Sequence, residues 1–254
     1  MSDDAVSERA RLREEWIAAH GSWNEDWSAF LEIDPGFFER YLDLAAHPWR
    51  HGPLPPKVKA LIQLSVDAAA THLHAPGVRH HIASALAHGA SVAEIIETLE
   101  LTSTMGIHAT NVGVPILIEE LALAGTPLDG GPLTARQEEI KALFTQKRGY
   151  WNDFWDGILR LDAEFFAAYT VFSAYSWEHG VLEPKVKELM YTAFDCSATH
   201  MFEPGLRVHI RNALAYGASA AEIMEVFELA SGIGAKAFAL GAPALLAARP
   251  PSAA

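Results

Sequence analysis

Histidine is concentrated in two short stretches of this 254-residue chain, ATHLHAPGVRHHI at residues 70–82 and ATHMFEPGLRVHI at residues 198–210. Both keep a Thr-His, a Pro-Gly, an Arg and a second His in the same frame. Imidazole titrates near neutral pH, so it serves as general acid, general base or metal ligand. On a helix, His81 shares a face with Val78, Ser84 and Ala85, and His209 with Leu206, Asn212 and Ala213. Both therefore point inward, as proton-transfer groups or as hydrogen-bonded core residues. His72 and His200 stand just before a Pro-Gly break. If the chain folds back there, His72 meets His81, and His200 meets His209, giving pairs that exchange protons with a substrate. The plain alternative is a cation closing the end of a helix.

Other groups extend the possibilities. Two imidazoles with Glu203 are a donor set for zinc, iron or manganese. Arg79 and Arg207 suit bidentate capture of a substrate carboxylate, or an ordinary surface ion pair. Asp67 with Thr71, and Asp195 with Thr199, lie one helical turn apart, where a carboxylate either orients a His or makes a local hydrogen bond. Cys196 precedes His200 by four residues, a spacing that could activate a thiolate, but the matching residue in the first stretch is Ala68. Free Cys is commonly a small buried hydrophobe. His74, His80 and His108 occur in the first half only, opposite Phe202, Val208 and Lys236. His108 is a candidate substrate-binding residue in a site drawing on both halves.

The elements carrying these residues are written twice. His200 follows His72 by 128 positions, and that offset aligns Trp23 with Trp151 and Pro115 with Pro243 without a gap. WRHGPLPPKVKALI answers WEHGVLEPKVKELM, and LAHGASVAEIIETLEL answers LAYGASAAEIMEVFEL. The repeats span residues 8–124 and 136–249, joined by a turn-rich linker at 125–135. In each copy a proline opens a helix expected to run to Leu73 or Met201. A second helix ends at Gly89 or Gly217, and a Ser-x-x-Glu box (Ser91 with Glu94, Ser219 with Glu222) opens a third. Glu97 and Glu100 are expected on its solvated face. Trp23, Trp27, Phe37 and Phe38 read as packing between helices, and His51-Gly52 as a turn. No stretch keeps strand alternation, so the class is all-α. Two copies of one unit are expected to pack about a pseudo-twofold axis.

The composition narrows the partners. A net charge of −13 without basic blocks argues against nucleic acid and anionic membranes. Apolar runs are expected to be broken by charge before the roughly 18 residues of a membrane span, and the acidic start lacks a signal-peptide core. A cytoplasmic protein is the expectation. The single cysteine rules out an internal disulfide and any Cys-x-x-Cys motif.

The segments LPPKVKALIQLSVDAAATHLHAPGVRHHIASALAHGASVAEIIETL and LEPKVKELMYTAFDCSATHMFEPGLRVHIRNALAYGASAAEIMEVF resemble the carboxymuconolactone decarboxylase and alkylhydroperoxidase D superfamily. The resemblance implies two tandem alkylhydroperoxidase D-like helical repeats and a homo-oligomer, with a trimer favoured. The peroxidase branch's cysteines fall on His74 and Gly77, or on Phe202 and Gly205, and its glutamate on Ile62 or Met190. Thiol peroxidase chemistry is therefore disfavoured. The decarboxylase branch's Glu and basic residue fall on Glu203 and Arg207 before His209. The first copy has Ala75 and Arg79 before His81. The expected activity is that of a cofactor-free lyase acting on a small carboxylated or lactone-type substrate. His209 and His81 are its acid/base, assisted by His200 and His72, with Glu203 orienting the His or moving a proton. Arg207 and Arg79 hold a carboxylate. A hydrolase or isomerase using a divalent transition metal, and a noncatalytic helical binding protein, remain alternatives.

Overall fold

A computed structural model of the chain describes residues 3–249, and among these the regular elements are all helical. The first copy contains α1 (Asp3–His20), α2 (Ser28–Ile33), α3 (Pro35–His51), α4 (Pro56–Ala68), α5 (Ala75–Ala87), α6 (Val92–Ser103) and α7 (His108–Leu123). The second contains α8 (Ala135–Arg148), α9 (Asp156–Leu161), α10 (Ala163–His179), α11 (Pro184–Cys196), α12 (Glu203–Ala215), α13 (Ala220–Ser231) and α14 (Lys236–Ala248). Pro56 and Pro184 occupy first turns, where a missing N–H costs nothing. Both Ser-x-x-Glu boxes close reciprocally: each Ser Oγ accepts from the Glu N–H at 3.1 Å, and the carboxylate accepts from the Ser N–H at 2.7 Å.

The spatial units cut across the sequence copies. Among the described residues, one unit comprises 3–102 and 183–249, and the other comprises 103–182. In the first unit, α4 packs against α11 and α13, and α14 of the second copy lies on α2 of the first. Leu12, Trp16, Trp27, Phe30 and Phe38 make its aromatic core, with Phe30 and Phe38 edge to face at 5.3 Å. The other unit repeats the plan: α7, from the first copy, packs on α9 of the second, and α8 on α10 around Phe144, Trp155 and Phe166. Each copy thus lends its last helix to the opening helices of the other.

Two buried ion pairs join the copies within the first unit. Lys59 meets Glu225 at 2.8 Å, and Lys187 meets Glu97 at 2.7 Å. The second pair is the first with the copies exchanged, the signature of a twofold interface. Each charged side chain is no more than 4 % exposed. Glu97 and Glu225 therefore lie in the interior rather than on the solvated face that helix spacing suggested. Lys59 also donates to the carbonyl of Gly52 at 3.2 Å, and Glu225 accepts from the N–H of Leu54 at 2.7 Å. The loop between α3 and α4 is pinned by these contacts. Gly52 is required there because a Cβ would stand 2.1 Å from the Glu225 carboxylate.

Two expectations are corrected. The helix before each Pro-Gly ends at Ala68 and Cys196, not at Leu73 and Met201. Leu73 and Met201 instead take left-handed backbone, φ 47° and 51°, so His72 and His200 lie in a turn and do not close a helix. The apolar run Ala220–Ala248, of mean hydropathy 1.4, does reach membrane-spanning length and composition. It folds as α13, a short 3-10 turn at Gly232–Ala235, and α14, with Lys236 at the junction.

Removing one member of a buried ion pair leaves its partner charged and unmatched, at a cost of about 3–5 kcal/mol. Glu225→Gln is expected to lose stability of that size in urea unfolding. The double change Lys59→Met with Glu225→Leu is expected to lose less than either single change. A double variant worse than the sum of the singles is the contrary result.

Candidate functional site

The doubled Pro-Gly frame folds so that the start of α5 rests on the end of α4. A Cβ at Gly77 would approach the Asp67 carboxylate to 1.9 Å, and one at Gly205 would approach Asp195 to 2.3 Å. Only glycine lets the helix N-terminus come that close. In the first copy His74 Nδ1 accepts from the Gly77 N–H at 3.0 Å and caps the helix. Phe202 supplies no such bond in the second.

Asp67 becomes the centre of the first-copy site. His72 Nε2 lies 3.4 Å from its Oδ1, His81 Nε2 lies 3.3 Å from Oδ2, and Lys236 donates to Oδ2 at 3.2 Å. His72 and His81 thus converge, through a carboxylate that helix spacing allowed either to orient a His or to bond locally to Thr71. Burial alone would raise the Asp67 pKa, but the facing histidines and the Lys236 charge hold it well below the usual carboxylate range. With its Nε2 side toward Asp67, His81 keeps Nδ1 buried and without a partner.

A cavity of about 50 Å³ lies here, bounded by His81, Asp67, Lys236, His80, His20 and Tyr41 among others. That holds a few waters or a group of a few heavy atoms. Burial lowers the pKa of His81, and it brings His80 down to about 3 and His20 to about 4. These rings are neutral at physiological pH. His20 stacks on Trp16 at 4.0 Å and donates from Nδ1 to the Trp16 carbonyl.

The second copy is built differently. His209 Nδ1 meets Glu188 Oε2 at 2.6 Å, and Asn212 donates to the other Glu188 oxygen at 3.2 Å. Tyr191 stacks on the imidazole at 4.5 Å. Asp195 lies 4.0 Å from His209 Nε2 and 3.8 Å from His200 Nε2. Burial, with Glu188 nearby, pushes its pKa up to about 7. The matching positions in the first copy are Ala60, Gln63 and Ser84, so the two histidines have diverged in their surroundings.

Several expected residues lie elsewhere. Glu203 and Arg207 are both exposed, and Arg207 donates to the Glu203 carboxylate through Nε at 2.9 Å and through Nη2. Glu188, not Glu203, holds His209. Arg79 is exposed on α5, and the cation beside Asp67 is Lys236. His108, which stands at the position Lys236 holds in the other copy, opens α7 and is not displaced from its expected place. Phe37 is 53 % exposed yet packs on Phe30 at 5.5 Å and on Phe238 at 5.8 Å. Burial lifts the Cys196 thiol to about 12, and its S–H donates to the Ala193 carbonyl, so no thiolate forms. Lys236 had a signal in the sequence, as the lone charge between Leu229 and Leu246. Glu188 had none, since it follows Lys187 in an ordinary amphipathic helix.

A metal could draw on Asp67, His72 and His74, whose ligand atoms lie within 4.8 Å of one another. The fit is poor. His74 accepts through Nδ1, which places its proton on Nε2, and Lys236 already neutralises the carboxylate.

The fold and site define an all-α tandem repeat around a buried carboxylate–imidazole cluster. The model of the carboxymuconolactone decarboxylase family matches residues 35–112 and 163–251, and the chain belongs to that family. Among solved structures it is 49 % identical to one described as a "putative gamma-carboxymuconolactone decarboxylase subunit" from Burkholderia xenovorans LB400. The TM-score is 0.91, covering 94 % of this chain and 96 % of that one. No curated protein matches.

The buried neutral histidines set a pH dependence. Below the ordinary value of 6.5 the unfolded chain binds a proton that folded His20 refuses until about pH 4. Stability therefore falls as pH drops through that window, by about 1–2 kcal/mol at pH 5 for this one group. Asp195 works in the opposite sense, because its raised pKa favours the folded state as pH falls below about 7. His20→Gln is expected to flatten the loss of Tm between pH 7 and pH 5. An unchanged slope contradicts a neutral buried His20.

Proposed function

We propose that the chain is a decarboxylase-type lyase working by proton transfer, with its reacting centre in the first-copy cavity. What carries the reading is the state of His81: one ring nitrogen faces a buried carboxylate, and the other is desolvated and unpartnered. Asp67 orients the ring and stabilises the imidazolium when it forms. The substrate carboxylate enters together with a proton, which rests on His81 Nδ1. Carbon dioxide then leaves, its bonding electron pair passing into an adjacent unsaturated carbonyl system. The His81 imidazolium returns the same proton to carbon, and the product leaves with the ring neutral again. Lys236 supplies positive charge for the transient enolate. No electron acceptor is required, so the site works without a cofactor. The family and the relative's description support a small carboxylated or lactone-type substrate.

The test is carbon dioxide release from γ-carboxymuconolactone. His81→Asn and Asp67→Asn are expected to lower kcat by about 10²–10⁴, whereas Glu203→Gln, at an exposed position, changes it less than twofold. If the unsubstituted chain turns nothing over and His81→Asn shifts only Tm, the chain is a binding protein.

We also propose that it assembles with itself, as a trimer. Leu240 and Leu245 on α14 are 80 % and 53 % exposed, and Leu123 and Ile116 on α7 are 81 % and 53 % exposed. Apolar faces of this kind mark contact surfaces. Sedimentation is expected to give three times the chain mass, and Leu240→Glu to lower it. A concentration-independent monomer is the opposing outcome.

A further inference from the structure

The cavity beside His81 shares a wall with a larger, apolar space. Tyr41 borders both, and so does the 3-10 turn after α13: Gly232 and Ile233 face the inner cavity, while Gly234 and Ala235 face the outer groove. The groove encloses about 460 Å³ and includes Phe37, Leu44 and Phe238. The Tyr41 ring divides the two spaces: its Oη donates to the Gly232 carbonyl at 3.5 Å, and the ring packs against Trp27 at 5.2 Å and Trp16 at 5.9 Å.

The inner cavity has donors in search of an acceptor. Trp16 and Trp27, both 3 % exposed, border it, and each has a buried indole N–H with no partner, as has Trp49. Lys236 sits 5.6 Å from the centre of the Trp27 ring. Unmatched buried donors are costly, and their gathering beside an ammonium is the mark of a site for an oxyanion. Yet about 50 Å³ accommodates only the head of such a ligand.

We propose that the substrate is amphipathic: its carboxylate head enters the inner cavity, and an apolar portion passes Tyr41 into the outer groove. This rests on the inner cavity being the reacting centre, and it adds what lies beyond it. Tyr41 is then a specificity-determining residue. The groove recurs in the other unit, where Phe165, Tyr169, Phe172, Gly106 and Ile107 line about 330 Å³. These are the same positions 128 residues away, so the groove belongs to the repeated unit.

The test is calorimetric binding of straight-chain alkanoates from acetate to octanoate. Each methylene entering the groove is expected to tighten binding about threefold to fourfold, the equivalent of ~0.8 kcal/mol. Leu44→Glu introduces charge at a position 60 % exposed, and Gly234→Leu fills the groove where a Cβ meets nothing within 4 Å. Neither disturbs the core. Both are expected to abolish the dependence on chain length while leaving acetate unchanged. Lys236→Met is expected to weaken every member at least about tenfold. A flat series, a slope that survives both groove variants, or no binding by any member overturns the proposal. His81→Asn should retain the slope even if turnover is never found, which separates failure of this inference from failure of the catalytic one.

Discussion

A carboxylate buried in a protein interior must be matched or it neutralises itself by taking up a proton. Asp67 is matched three times, by two imidazoles and an ammonium drawn from α5, from the turn before it and from α14. Those contacts dictate much else. The ammonium must come from the far end of the chain, so α14 crosses to the first copy. The turn must double back sharply, so Leu73 takes left-handed backbone. The next helix must start against the carboxylate, so position 77 is glycine. A single anionic group thereby fixes the register of four segments and leaves His81 presenting one bare nitrogen.

The second copy shows what happens when the matching is different. It keeps the aspartate, both histidines and the glycine, but Glu188 brings another carboxylate into the same small volume. Burial, with Glu188 as a second anion nearby, makes the aspartate hold its proton toward neutral pH. One backbone frame thus supports two electrostatic states. The copies differ at position 60 or 188, Ala in one and Glu in the other, and at position 108 or 236, where Lys236 of the Asp67 cluster is answered by His.

Much of the fold was legible in the sequence, because it is written in local terms. Proline at first turns, Ser-x-x-Glu boxes and terminal glycines each act within a few residues, and duplication tests every reading twice. The convergence of His72 and His81 followed from the Pro-Gly break. The hub was half legible: Asp67 could be read as orienting a His, but i, i+4 spacing with Thr71 offered it a local role as well. Glu97, Glu188 and Glu225 were hidden for a related reason. On a helical wheel a buried, paired glutamate is indistinguishable from a solvated one, and in the two cross-copy pairs the partner lies 90 or 166 residues away. Glu203 misled because its spacing to His209 is right while its side chain turns outward to Arg207.

The crossed lysine–glutamate pairs carry one more consequence. Each copy contains both a Lys and a Glu of the interface, Lys59 with Glu97 and Lys187 with Glu225. Either half is therefore self-complementary, and the contact is one that two identical chains could make. Fusing the halves turns association into an internal event, at an effective concentration on the order of millimolar. The interface no longer has to be won by abundance. Once joined, the halves were also released from identity, since a residue such as Glu188 appears once per molecule instead of twice. The tether makes an asymmetric pair of sites possible on a symmetric scaffold.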